Sequence, residues 1–271
     1  MNKEVTAHGV SLARMQVGPL AHVGSGRRSL GAMSIAAVLV AWEGLGRSGL
    51  VAPLFLPPLS EVLVEGAAMA GSGELIGHLG ASLWRMLWGF VTGAALGVGL
   101  GLAMGISHRV DGLTHPLVAG AYPIPKIALL PLFILWLGLG EATKVAVIAL
   151  GVFFPVLVNT RAGVKNVSPL LIQAAVSLGS GRAHIARKVL LPASLPTIFA
   201  GLKLGAGAAL LLLVTAEMIA ADKGIGFMIL SAANLMQTTR LLFGILLLAA
   251  MGLLSNWLLA RLERALVPWK G

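Results

Sequence analysis

The chain has 271 residues, 57% of them hydrophobic and 11% charged, with a mean hydropathy of +0.91 and a formal charge of +10. A soluble domain carries about 25% charged residues, so this composition excludes an ordinary water-soluble fold and indicates one helical bundle in a membrane. The absence of cysteine excludes disulfides, thiolate chemistry and Cys-based metal sites, and the six histidines include no HExxH pair.

Residues 1–29 are polar and carry Lys3, Arg14, Arg27 and Arg28. The apolar run LGAMSIAAVLVAW follows, with no A-x-A cleavage site behind it, so it reads as an uncleaved first span rather than a signal peptide. A span needs about 20 apolar residues. Six are expected, over residues 30–47, 84–106, 117–139, 143–160, 195–219 and 240–260. Between the first two, prolines, glycines and Glu61, Glu65 and Glu74 indicate a loop with an amphipathic helix. The predicted organisation is a cytoplasmic tail (1–29), a first span and periplasmic loop (30–76), a core transmembrane domain (77–262) and a cytoplasmic C-terminal tail (263–271).

Charge sets the orientation. With the N-terminus inside, thirteen of the 20 lysines and arginines fall on the cytoplasmic side, among them Arg109, Arg161, Lys165, Arg182, Arg187 and Lys188. Five fall outside: Arg47, Arg85, Lys144, Lys223 and Arg240. Positive loops stay in the cytoplasm, so both termini and the segment between the fourth and fifth spans are expected there. Lys126 and Lys203 lie within spans.

Gly89, Gly93, Gly97, Gly101 and Gly105 recur every fourth residue along the second span. Such a stripe lets another helix backbone approach closely, and Gly201 and Gly205 repeat it weakly in the fifth span. The third span, YPIPKIALLPLFILWLG, holds Pro123, Pro125 and Pro131, each of which removes a backbone donor. Lys126 in that stretch either faces the bundle interior and a solute pathway, or snorkels to the interface. Glu217, at the outer end of the fifth span, either pairs with a neighbouring helix or lines an outer gate. Glu43, near the outer end of the first span, is a weaker case of the same kind.

The segment QAAVSLGSGRAHIARKVLLP, from Gln173 to Pro192, is basic and polar between long apolar runs. Ser168 and Pro169 read as N-cap and first turn of a short helix. Gly179 then permits a sharp change of direction. A helix–turn–helix with small residues at its tip suits a groove on a soluble partner. The residues resemble the "EAA" loop of binding-protein-dependent ABC importer permeases: Ala174-Ala175, then Gly179, then Val189-Leu190-Leu191-Pro192, with Gln173 in place of the usual Glu. LFLPPLSEV, GELIGHLGASLWRMLWGF, PIPKIALLPLFILWLGLGEATK, FFPVLVNTRAGVKNVSP and AEMIAADKGIGFMI are similar, in the same order, to the nitrate/sulfonate/taurine branch.

That resemblance implies an all-α integral membrane protein with the type I ABC importer transmembrane fold, in the bacterial inner membrane. It implies ATPase coupling through the 168–192 loop, with Gln173, Ala174, Ala175, Gly179, Arg182, Leu191 and Pro192 as the contact residues. It implies a second permease copy, two cytoplasmic ATPase subunits that hold ATP and Mg, and an external substrate-binding protein. The chain itself is expected to hold no cofactor, metal or nucleic acid and to catalyse nothing. No lysine follows a glycine anywhere, so there is no GxxxxGK[ST] loop. The expected solute is a small anion such as a sulfonate, nitrate or taurine. An ion-driven secondary transporter is the second reading; it predicts internal repeats and more buried ionisable groups. An intramembrane enzyme would need a paired catalytic constellation within the spans.

Overall fold

Glycine spacing decides where the longest helices meet. The computed structural model describes residues 26–269, all in helices and their connections. The helices are α1 (Gly26–Arg47), α2 (Leu59–Gly71), α3 (Glu74–Ile106), α4 (His108–Ala121), α5 (Leu130–Leu137), α6 (Glu141–Lys165), α7 (Pro169–Ser177), α8 (Arg182–Ile185), α9 (Leu191–Ala220), α10 (Ile225–Asn234) and α11 (Thr238–Leu266). A 3-10 turn (Lys126–Leu129) leads into α5, and a π-helical turn (Ala186–Leu190) joins α8 to α9. Most of the N-terminal tail lies outside the described residues.

Four helices are long and apolar enough to cross a membrane among the described residues: α3, α6, the continuous run Arg182–Ala220, and α11. The pair His108–Ala121 and Lys126–Leu137 makes a fifth if its two arms, bent by 90°, are one span. The expected third span is therefore broken. Pro123 and Pro125 sit in the break, where the missing N–H groups and the fixed φ stop α4, and Pro131 occupies the first turn of α5. The expected first span corresponds to α1, 22 residues long, which packs mainly on α2 and leaves Leu30, Met33, Ile35, Val38 and Val40 exposed.

The centre of the bundle is α6, against which α3 and α9 both pack. A Cβ on Gly89 would lie 2.5 Å from Ile148, on Gly93 2.3 Å from the Ala149 carbonyl, and on Gly97 2.7 Å from the Phe153 carbonyl. On Gly101 it would lie 2.7 Å from Thr160 and on Gly105 2.5 Å from Val164. The stripe thus runs down α6 with the two backbones in contact. Gly201 and Gly205 bring α9 onto the Val152–Asn159 stretch in the same way. Val147, Ile148, Val152 and Val156 of α6 meet Ala209, Leu213 and Ala216 of α9 in the apolar core, closed at one end by Ile225 and Met228 of α10.

Two expectations need correction. The second span does not begin at 84: α3 starts at Glu74 and carries the preceding polar turns as one 33-residue helix. Arg85 and Lys144 are not external loop charges, because each is only 3% exposed. Arg85 pairs with Glu141 and Glu217, 56 and 132 residues away, which hydropathy along the chain cannot register, and Lys144 pairs with the half-exposed Glu141 three residues before it.

Candidate functional site

The helix α7 packs mainly on α8 and the π turn that follow it and buries none of its own residues. Ser168 stands at its N-cap and Pro169 in its first turn, although the Ser168 side chain makes no capping bond. At its other end Gly179 has φ +77, a left-handed conformation that costs an L-residue with a side chain. The Gly179 N–H donates to Val176 O at 2.9 Å and the Ser180 N–H to Ala175 O at 3.0 Å, the two bonds of a Schellman stop. Leu170, Leu171, Val176 and Leu178 are exposed on this short helix, Leu178 by 85%. Gln173 and Ala174 are exposed beside them and Ala175 is half-buried. Arg182, His184, Arg187 and Lys188 are exposed on the return stretch, while Ile185 is buried and fastens it; Leu191 and Pro192 begin α9, both half-buried.

The root of this elbow is stapled. Asp111 in the first turn of α4 accepts from Arg161, with Nη2 at 3.1 Å, and from Lys165, both in the last turns of α6. Asp111 is 6% exposed. These bonds tie the start of α4 to α6 just before the chain leaves for α7.

A second charge cluster lies at the other end of α6, about 36 Å away along the helix. Arg85 Nε donates to Glu141 Oε2 at 2.6 Å and its Nη2 to Oε1 at 2.7 Å. Its Nη1 donates to Glu217 Oε1 at 2.9 Å and to the Lys223 carbonyl at 2.5 Å. Lys144 Nζ reaches Glu141 at 3.0 Å. Glu217 is fully buried and also accepts from Ser82 Oγ at 2.8 Å and from the Gly226 N–H at 2.9 Å, which places a carboxylate on the first turn of α10. Gly224, at φ +132, has room only for hydrogen because a Cβ there would meet this carboxylate at 2.4 Å. Glu217 therefore clasps α3, α9 and α10 together; it faces no open space. Glu43 bonds Arg47 and Ser60 at the exposed junction of α1 and α2.

Lys126 occupies a different setting. Its ammonium donates to the carbonyls of Ala121 at 3.1 Å, Ile124 at 2.8 Å and Tyr122, and lies 4.3 Å from the centroid of the Phe154 ring. Phe154 is about 20 Å along α6 from Glu141, near the middle of that helix. A cleft of about 540 Å³ opens there, lined by Lys126, Ile127, Phe154, Leu211, Leu212 and Thr215 among others. Lys203, the other lysine expected within a span, is paired with Glu263 of α11 at 2.5 Å. Sequence reasoning missed the Arg85–Glu141–Glu217 and Asp111–Arg161–Lys165 clusters; the usable signal was charged residues of both signs standing in apolar helices. Among the described residues no group of His, Asp and Glu side chains is placed to hold a metal ion.

Comparison with known proteins agrees with this architecture. The family model described as "Binding-protein-dependent transport system inner membrane component" matches residues 93–268. The taurine transport system permease protein TauC of Escherichia coli is 39% identical over 243 residues, covering 88% of each chain. An aliphatic sulfonates transport permease protein, the putative SsuC of Bacillus subtilis, is 37% identical over 249 residues, covering 90% of each. A chain of the inward-facing MetNI methionine ABC transporter shares the fold with a TM-score of 0.60 at 19% identity, covering 71% of this chain and 95% of that one. The chain therefore belongs to the binding-protein-dependent ABC importer permeases, multi-pass inner-membrane subunits that do no chemistry themselves and leave ATP hydrolysis to a separate subunit.

Proposed function

We propose that this permease, paired with a second copy of itself, forms the translocation pathway for taurine, an alkanesulfonate or a similar small organic anion. Six crossings, with α1 as the first and both termini cytoplasmic, place α7 on the cytoplasmic face and the Arg85 cluster toward the outside. An external binding protein delivers the solute. Two ATPase subunits grip residues 168–192, with Gln173, Ala174, Ala175, Gly179 and Arg182 at the contact and Leu191 and Pro192 passing the motion into α9. Closure of the ATPase pair on ATP moves the elbow, and the packed helices carry that displacement across the membrane as a two-state change.

The observation that carries this reading is α7 itself. A nine-residue helix that, with its C-cap Leu178, leaves four large apolar side chains in the open, held at a fixed angle by a Schellman turn, is an incomplete surface that a partner groove completes. The names of the relatives support the solute class, since taurine and the aliphatic sulfonates share one anionic head.

The test is ATP-dependent uptake of taurine and of short alkanesulfonates by vesicles holding the permease, its ATPase and its binding protein. In Gly179→Val a β-branched residue enters left-handed backbone at a cost of about 1–2 kcal/mol, which redirects α7. We expect insertion to persist while ATPase association and uptake both fall. Unchanged association and uptake would remove the elbow from the mechanism, and uptake without any ATPase would favour an ion-driven carrier.

A further inference from the structure

Among the described residues, Arg85, Lys126, Lys144 and Lys203 are cations drawn into the helix packing away from the α7 elbow. Three are matched by carboxylates, Arg85 by Glu141 and Glu217, Lys144 by Glu141, and Lys203 by Glu263. Lys126 has only neutral partners: three backbone carbonyls and the faces of Phe154 and Tyr122. Carbonyl dipoles and ring faces hold an ammonium in place without cancelling its charge. A cation left unneutralised inside a membrane bundle is costly, and such groups mark solute and ion pathways.

This cation borders the mid-bundle cleft of about 540 Å³. The rest of that lining is apolar or aromatic apart from the hydroxyls of Tyr122 and Thr215, and the Thr215 hydroxyl donates to the Leu211 carbonyl at 2.8 Å. No carboxylate lines the cleft. We infer that the cleft at the α4–α5 break is a transient binding site for an organic anion with an apolar tail, an alkanesulfonate, whose head meets Lys126 and whose chain lies along Ile127, Leu211 and Leu212. The chemistry of the lining sets a preference. A plain alkanesulfonate puts its single charge beside the lysine and its methylenes against apolar walls. A zwitterion such as taurine must also bury an ammonium with no carboxylate to receive it, and nitrate brings no tail to bury. The carbonyls released at the break keep Lys126 hydrogen-bonded before the anion arrives and after it leaves, so the site can load and unload.

This inference rests on the importer reading for its physiological meaning, but its test does not need uptake. The permease–ATPase complex in lipid nanodiscs, without binding protein, is titrated calorimetrically with hexanesulfonate, taurine and the neutral hexanesulfonamide. Hexanesulfonate is expected to bind at least about tenfold more tightly than taurine. Lys126→Met should weaken hexanesulfonate about tenfold or more and leave hexanesulfonamide within about twofold, while Lys126→Arg should retain wild-type affinity within about threefold. If Lys126→Met does not assemble, Leu211→Trp serves in its place: Leu211 lines the cleft, and a larger ring there should weaken hexanesulfonate similarly. Equal affinity for hexanesulfonate and taurine, or wild-type hexanesulfonate affinity in Lys126→Met or Leu211→Trp, overturns the inference. Sulfonate binding that depends on Lys126 without sulfonate uptake by the complete transporter would instead overturn the proposed solute and leave the site standing.

Discussion

Gly179 and Met236 occupy the same structural position. Each is the left-handed residue after a short helix, at φ +77 and φ +56, and each is followed by the pair of bonds that ends the helix; at α10 these are Met236 N–H to Ala233 O at 3.1 Å and Gln237 N–H to Ala232 O at 2.8 Å. Only the first was legible, because a glycine just past a short helical run signals this turn and a methionine does not. The glycine stripe was legible for the same reason: a period of four over five turns has one steric meaning in a membrane helix. It also makes a contrast to be measured. Gly93→Ala drives a methyl group into the Ala149 carbonyl and is expected to cost about 1–3 kcal/mol. Gly99→Ala, on the same helix with nothing within 4 Å, is expected to be neutral or to stabilise by up to about 1 kcal/mol. Thermal unfolding of the two variants in the same detergent separates packing from helix propensity; equal shifts would mean the seam is looser than the distances indicate.

Among the elements, hydropathy located α6, α9 and α11 to within a few residues, since an apolar run long enough to cross a membrane has few alternatives to helix. It gave the third span as one run over 117–139, which three prolines marked as irregular, and so missed both the break and its 90° angle, with α4 seated on α3 and α5 on α6. It set the start of the second span at 84, whereas the helix runs unbroken from Glu74 through turns that the sequence marks as amphipathic rather than apolar. The staple at Asp111 is invisible to any local reading, since its partners lie 50 and 54 residues away. It belongs to the element scale because it joins α4 to the end of α6 from which α7 departs. Asp111→Asn removes a charge from a partly exposed network, so global stability should fall by no more than about 1 kcal/mol. The larger effect should be local: faster amide hydrogen exchange over residues 166–178 and fewer solutes carried per ATP hydrolysed. Unaltered exchange there would show that the elbow's angle is set elsewhere.

For the whole molecule, the orientation argument survives the two corrections. Arg85 and Lys144 are buried at the end of α6 opposite α7, so they stay on the side where Arg47, Lys223 and Arg240 are expected, and the count of five against thirteen is unchanged. The natural absence of cysteine makes a direct check simple. In right-side-out vesicles a membrane-impermeant maleimide should label Lys223→Cys, in the exposed α9–α10 connection, and should leave His184→Cys untouched until the membrane is opened. The reverse pattern would put α7 outside the cell, where no ATPase could reach it.

The seam between α3 and α6 repeats itself. Gly89, Gly93, Gly97, Gly101 and Gly105 meet Ile148, Val152, Val156, Thr160 and Val164, and both series advance by four. Slipping one helix past the other by four residues, about 6 Å, would therefore return hydrogen to nearly every place where hydrogen is required. Steric fit alone cannot choose between those registers. The choice falls to the two ends, where Arg85 finds Glu141 and Glu217 at one and Asp111 finds Arg161 and Lys165 at the other, so the ion pairs act as stops on a rail that would otherwise let its carriage move.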